Sequence, residues 1–143
     1  MNVKNFALAY RPGFDDLALR LAAGVIYTAH GAQKLFGWFG GYGLEGTGQW
    51  MDSIGLSPGY WMALGAGSAE FFGGLLLLAG LLTRPTAIVT AFTMVIAILS
   101  VHIGNGLFLA NNGFEFGLAL LGISVALAIR GAGSLSVDRL LNK

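Results

Sequence analysis

Five ionisable side chains interrupt the apolar stretches of this 143-residue chain: His30, Lys34, Glu70, His102 and Glu115. Their types are those of proton donors, proton acceptors and partners for a polar ligand. His30 and Lys34 are four apart and share one helix face, with Gln33 beside them. Glu70 and Glu115 supply two carboxylates. A charge at the centre of a membrane span costs on the order of 2.5–3.5 kcal/mol. Residues of this kind therefore pair with one another, line a polar cavity or mark a functional site.

The elements that position them are set by composition. The chain is 55% hydrophobic and only 10% charged, with mean hydropathy +0.71. A soluble domain carries about a quarter charged residues, so this chain cannot cover a globular surface with polar groups, and lipid is its expected solvent. Net charge is +1, and the 8 Lys and Arg are scattered, which leaves no basic patch for nucleic acid. Cysteine is absent, which excludes disulfides, thiol redox chemistry, thiolate zinc sites and cysteine-held iron–sulfur clusters.

An all-α membrane protein follows, a bundle of four transmembrane helices forming one domain over 1–143. The spans run over about 17–36, 58–82, 85–103 and 114–130, each near the roughly 20 apolar residues a span needs. Their ends carry helix signals. Asp16 can cap the first, Ser57–Pro58 and Pro85 suit the starts of the second and third, and Asn112 with Glu115 imitates a capping box. Gly131 suits the last helix end. Lys4, Arg11, Arg20, Arg84, Arg130, Arg139 and Lys143 lie toward one side, whereas 37–57 and 104–113 contain no Lys or Arg. The positive-inside rule then places both termini in the cytoplasm of a cell with this chain in its inner (plasma) membrane. The polar start, Met1–Asp16, is too long and carries too many acids for a cleavable signal peptide, so the first helix is expected to stay attached.

Glycine accounts for 23 residues. Gly65, Ala69 and Gly73 form a stripe that reads as helix packing. Trp38, Trp50 and Trp61, with Phe39, Tyr42 and Tyr60, read chiefly as an interfacial aromatic belt. A stacking wall for a ligand is the lesser reading, and the glycine-rich 37–48 segment can fold back over the bundle.

A rise of about 1.5 Å per residue puts His30 roughly 10 Å and Lys34 about 4 Å below the outer end of their helix, with Glu70 near mid-membrane. On that ruler Glu70 pairs with His30 and Lys34 with Glu115. Structural roles compete: Glu115 suits a helix N-terminus, Lys34 can snorkel to the interface, and His102 suits a solvated boundary.

The run from Gly24 to Gly37, GVIYTAHGAQKLFG, resembles the first-helix signature of the DoxX family. The glycine-rich Phe39-Gly40-Gly41-Tyr42-Gly43 follows it. Ala69-Glu70-Phe71-Phe72-Gly73-Gly74, leading into Gly80-Leu81-Leu82-Thr83-Arg84, is similar to the second helix. His102 with Asn105-Gly106, then Gly113-Phe114-Glu115, is similar to the third and fourth. The resemblance covers almost the whole chain and implies a four-helix membrane bundle. The family takes its name from similarity to DoxD, a membrane subunit of an archaeal thiosulfate:quinone oxidoreductase. It implies His30, Gln33, Lys34, Glu70, His102, Asn105 and Glu115 as site residues.

The expected function is a quinone-interacting membrane subunit of an oxidoreductase system, with sulfur compounds as the family-level link and quinone as the expected cofactor. Its polar site lies in the outer half of the bundle. His30, Gln33, Lys34, His102 and Asn105 supply hydrogen bonds to the quinone, and Glu70, His30 and Glu115 move protons. Electrons then arrive from a redox partner protein. A non-catalytic scaffold or assembly partner, and a haem or metal protein, are the competing readings. No histidine spacing gives a metal motif, and a second copy of the chain is a further partner.

Overall fold

The computed structural model describes residues 15–142. The expectations for Lys4, Arg11, the N-terminal stretch before 15, and Lys143 fall outside that range. The described residues form helices and turns without strands. Helix α1 spans Asp15–Phe36, α2 Gly43–Ser53, α3 Gly59–Ala79, α4 Thr83–Ala97, α5 Glu115–Arg130 and α6 Val137–Leu141. A π turn, Ile98–His102, extends α4, and short 3-10 turns occupy Trp38–Gly40, Ile103–Asn105 and Leu109–Asn111.

Among the described residues, two helices are long and apolar enough to cross a membrane: Gly59–Ala79, mean hydropathy 1.5, and Thr83–Asn105, mean hydropathy 2.2. Helix α1 has the length but carries Asp15, Asp16, Arg20 and Lys34. Helix α5 is apolar but has only 16 residues, short of the roughly 20 that cross the hydrocarbon unaided.

The long helices fall near their expected bounds, but their starts use other chemistry. Pro58 is itself the N-cap of α3, and Ser57 donates its hydroxyl proton to Asp52 at 2.7 Å instead of capping. Asp52 also accepts the Gly59 N–H at 2.8 Å. The Ser57 hydroxyl and then the Gly59 amide hold the Asp52 carboxyl below its ordinary pKa. Helix α4 opens at Thr83, two residues before Pro85. Its first N–H groups, from Leu82 and Thr83, are accepted by Asp138 at 2.7 and 2.9 Å. Asp16 pairs with Arg130 at 2.6 Å, tying α1 to the end of α5. The Asn112–Glu115 capping box does not form: Phe114 is the N-cap of α5, and Glu115 turns back to accept the Leu109 N–H at 2.6 Å. Gly131 does end α5, at φ 89.

Helices α1 and α3 make the closest contact in the fold. A Cβ on Gly31 would overlap the Phe71 backbone, one on Gly74 would overlap Thr28, and one on Gly67 would meet Leu35 at 2.8 Å. Small residues at these positions let two backbones approach, as helices do in lipid. The contact also fixes the stagger. Gly31 lies five residues from the end of α1, whereas Phe71 lies twelve residues into α3. Helix α3 therefore overhangs α1 by about 10 Å.

Helix α2 fills that overhang, where the sequence suggested only a loop. Its glycines, Gly43, Gly46 and Gly48, suppress the local helix signal. Packing supplies the stability, with Thr47, Gly48 and Met51 buried. Gly48 faces Tyr60 so closely that its Cβ would sit 2.9 Å from the Tyr60 Cα. The bundle core below joins Ala23, Tyr27, Leu77, Ala87, Met94, Leu120 and Leu127. Within it the Tyr27 hydroxyl shares a hydrogen bond with Ser124 at 2.8 Å, and Ser124 shares one with Thr90 at 3.2 Å. These buried hydroxyls satisfy one another, as a dry interior requires.

Candidate functional site

The overhang encloses a cavity of about 670 Å3. Its floor is the α3 face carrying Gly65, Ala66, Ala69 and Glu70, and α4 supplies Val89, Phe92, Thr93 and Ile96. Helix α2 and the turn before it roof the cavity with Tyr42, Thr47, Trp50 and Met51. Gly65 and Ala69 thus make space rather than contact: a Cβ at Gly65 would meet nothing within 4 Å. Of the small-residue stripe, Gly73 packs helix to helix, against Thr90 and Thr86 of α4.

One ion pair stands in this largely apolar wall. Lys34 Nζ donates to Glu70 Oε2 at 2.6 Å, with side-chain exposures of 24% and 4%. The carboxylate is sealed, while the ammonium keeps access to the cavity. A charge-assisted bond of this length is strong, and it leaves Lys34 with further N–H groups to donate. Gln33 lines the same space, held by donation to the Phe39 carbonyl at 3.2 Å.

At the α4 end stands His102, placed on the wall by the π turn. Its Nδ1 lies 2.9 Å from the Asn112 carbonyl. A carbonyl only accepts, so Nδ1 carries the proton and Nε2 is the acceptor of the neutral ring. Asn105 braces this turn, donating to the Val101 and Asn112 carbonyls at 3.2 Å each.

Neither expected pair forms. Glu70 pairs with Lys34 rather than with His30, and Glu115 pairs with the Leu109 amide rather than with Lys34. The stagger is the cause, because depths counted from each helix's own end assume that those ends lie in one plane. His30 is exposed on α1, its ring 5.8 Å from that of Phe116 on α5, and is not part of the cavity wall. Glu115 and Asn105 also lie off the wall. The structure brings together Gln33, Lys34, Glu70 and His102. Among the described residues no three His, Cys, Asp or Glu side chains converge as a metal site.

Several wall residues were not singled out by type, among them Thr47, Met51, Phe92 and Thr93. The aromatic signal divides. Tyr42, Trp50 and Trp61 line the cavity, whereas Trp38 lies outside it, 5.0 Å from the Phe36 ring and 6.5 Å from the Phe39 ring. On the α4 side of the cavity, Phe92 is 64% and Val89 49% exposed.

Fold and site together define a helical protein with two membrane-length helices and an apolar cavity set against a buried ion pair. A family model described as DoxX matches residues 16–103, which carry α1 to α4 and almost all of the cavity wall. The chain belongs to the DoxX family. It is 36% identical over 122 residues to a Bacillus subtilis (strain 168) protein named "Putative oxidoreductase CatD", covering 85% of this chain and 83% of that one. It is 40% identical over 133 residues to the "Inner membrane protein YqjF" of Escherichia coli (strain K12), covering 89% and 92%. No solved structure matches the chain.

Proposed function

We propose that this chain is a quinone-interacting, multi-pass membrane subunit of an oxidoreductase system, and that the cavity is the quinone site. The observation that carries the reading is an apolar cavity of about 670 Å3 whose wall holds the Lys34–Glu70 pair and, on α4, the exposed Val89 and Phe92. A ring with a long apolar tail needs an apolar slot, a few placed polar groups and an entrance from lipid. Helices α1, α3, α4 and α5 act as the four spans, both termini face the cytoplasm, and the inner membrane is the location. The names of the two relatives agree with an inner-membrane oxidoreductase role.

In this reading the quinone is substrate. Lys34, oriented by Glu70, donates a hydrogen bond to one carbonyl oxygen, and Gln33 lies beside it. His102 serves a polar group of the substrate at the α4 wall: its Nε2 donates to a carbonyl when the ring is protonated and accepts from a hydroxyl when it is neutral. Reduction to the quinol consumes two electrons and two protons. A redox partner protein delivers the electrons, and Lys34 and His102 are the proton donors within reach of the cavity. Tyr42, Trp50 and Trp61 flank the ring.

The test is quenching of tryptophan fluorescence in the detergent-purified protein by a short-chain quinone. The reading expects saturable quenching that is lost in Glu70→Gln while the helical circular dichroism persists. A variant that retains wild-type quinone affinity contradicts the site. Unchanged fluorescence in the wild type, with Glu70→Gln impairing only folding or partner binding, favours the scaffold reading instead. A visible haem band or stoichiometric metal in the purified protein replaces both.

A further inference from the structure

The opposite end of the bundle holds a second concavity, of about 490 Å3, that the proposed chemistry does not use. It lies where α3 turns into α4, where α5 ends, and where α6 returns across the base. Arg84 of α4, Arg130 at the end of α5 and Arg139 of α6 line it. A fourth guanidinium, that of Arg20, is buried nearby and donates to the Leu77 and Leu135 carbonyls.

Two nearby carboxylates are already engaged. Asp16 is engaged by Arg130 at 2.6 Å. Asp138 is engaged by the Leu82 and Thr83 amides at 2.7 and 2.9 Å. Arg139 spends one donor on the Ser134 carbonyl at 3.0 Å. Arg84 is exposed, and among the described residues no hydrogen bond or ion pair holds its guanidinium. The bare Cα of Gly131 lets that guanidinium lie against the end of α5, since a Cβ there would stand 3.2 Å from Arg84 Nε.

We propose that this concavity binds the phosphate of an anionic lipid headgroup, held by the Arg84 and Arg139 guanidinium forks. Planar guanidinium groups match phosphate oxygens in pairs. The site lies at the ends of the two membrane-length helices, at the level where headgroups sit. Its surroundings favour a lipid over free phosphate. Leu82 on the rim is 57% exposed, and Ile129 and Leu140, chain neighbours of the lining residues Arg130 and Arg139, are 71% and 64% exposed. Exposed apolar side chains of this kind suit acyl chains and have no use for an inorganic ion.

The experiment is the thermal-unfolding midpoint of the full chain in neutral detergent, with phosphatidylglycerol, phosphatidylcholine or inorganic phosphate added. Phosphatidylglycerol at tenfold excess over its dissociation constant should raise the midpoint by about 4 °C, and phosphatidylcholine should not. Arg84→Gln combined with Arg139→Gln should abolish the rise. Arg84→Gln alone breaks no partner in the fold, so its lipid-free midpoint should match wild type while its rise shrinks. An equal rise in wild type and the double variant overturns the site. An equal rise from inorganic phosphate, lost in the double variant, overturns the lipid as its source.

Discussion

Removing one member of the Lys34–Glu70 pair should cost at least as much as removing both. Glu70→Gln leaves the Lys34 ammonium facing a neutral amide in a wall that is otherwise largely apolar. Breaking a buried ion pair from one side costs about 3–5 kcal/mol. Lys34 keeps 24% of its side chain exposed and has a flexible stem, so it recovers part of that cost by turning into the cavity. The expected loss is therefore at the lower end, about 3 kcal/mol. Lys34→Met leaves a carboxylate only 4% exposed, with less chance to relax, and should cost about 4 kcal/mol. The double variant Lys34→Met/Glu70→Gln removes both charges and should lose no more than either single variant. The assay is a double-mutant cycle on reversible unfolding in mixed micelles, read by circular dichroism. Additive losses, or a Glu70→Gln protein as stable as wild type, would refute the claim that these two groups form one buried unit.

Two further outcomes follow from the helix contacts and the α4 cap. Gly31→Ala should destabilise by about 1–3 kcal/mol, because its methyl would overlap the Phe71 backbone, whereas Gly65→Ala, with open space at its Cβ, should gain up to about 1 kcal/mol; thermal midpoints of the two variants check the pair. At Asp138, burial alone would raise the carboxyl, but the Thr83 and Leu82 amides and the Arg20 charge hold it below the ordinary 3.8. A depressed folded pKa stabilises the protein above the ordinary value and loses that contribution as pH falls through the lowered one. Docking of α6 should therefore hold down to about pH 4 and loosen below it, and Asp138→Asn should remove this acid transition from hydrogen exchange at the Leu82 and Thr83 amides.

The helical character of the chain and its two membrane-length helices, α3 and α4, were legible because long apolar stretches leave few alternatives. Helix α2 was not, because Gly43, Gly46 and Gly48 weaken its local signal and its stability comes from burial against α3. The grouping of Gln33, Lys34, Glu70 and His102 was legible in residue type, since each is a polar group that lipid should exclude. Its pairing was not. Whether Glu70 meets His30 or Lys34 depends on an overhang of about 10 Å, set by Gly31 and Phe71 far from the helix ends. The cavity was hidden for a related reason. Gly65 and Gly73 look alike in sequence, yet one opens onto empty space and the other touches Thr90. The aromatic residues carried both meanings at once, with Trp38 outside the cavity and Trp50 and Trp61 in its wall.

The central claim is that the cavity holds a quinone, and Gly65→Phe tests it most directly. The new ring would enter open space at the cavity floor and leave the Lys34–Glu70 pair in place. The measurement is mass spectrometry of the lipid-like molecules extracted from wild type and variant purified from native membranes. The account predicts near-stoichiometric quinone with the wild type and its absence from a folded Gly65→Phe protein. Equal quinone in both, or none in either even after quinone is added to the purified protein, would contradict it.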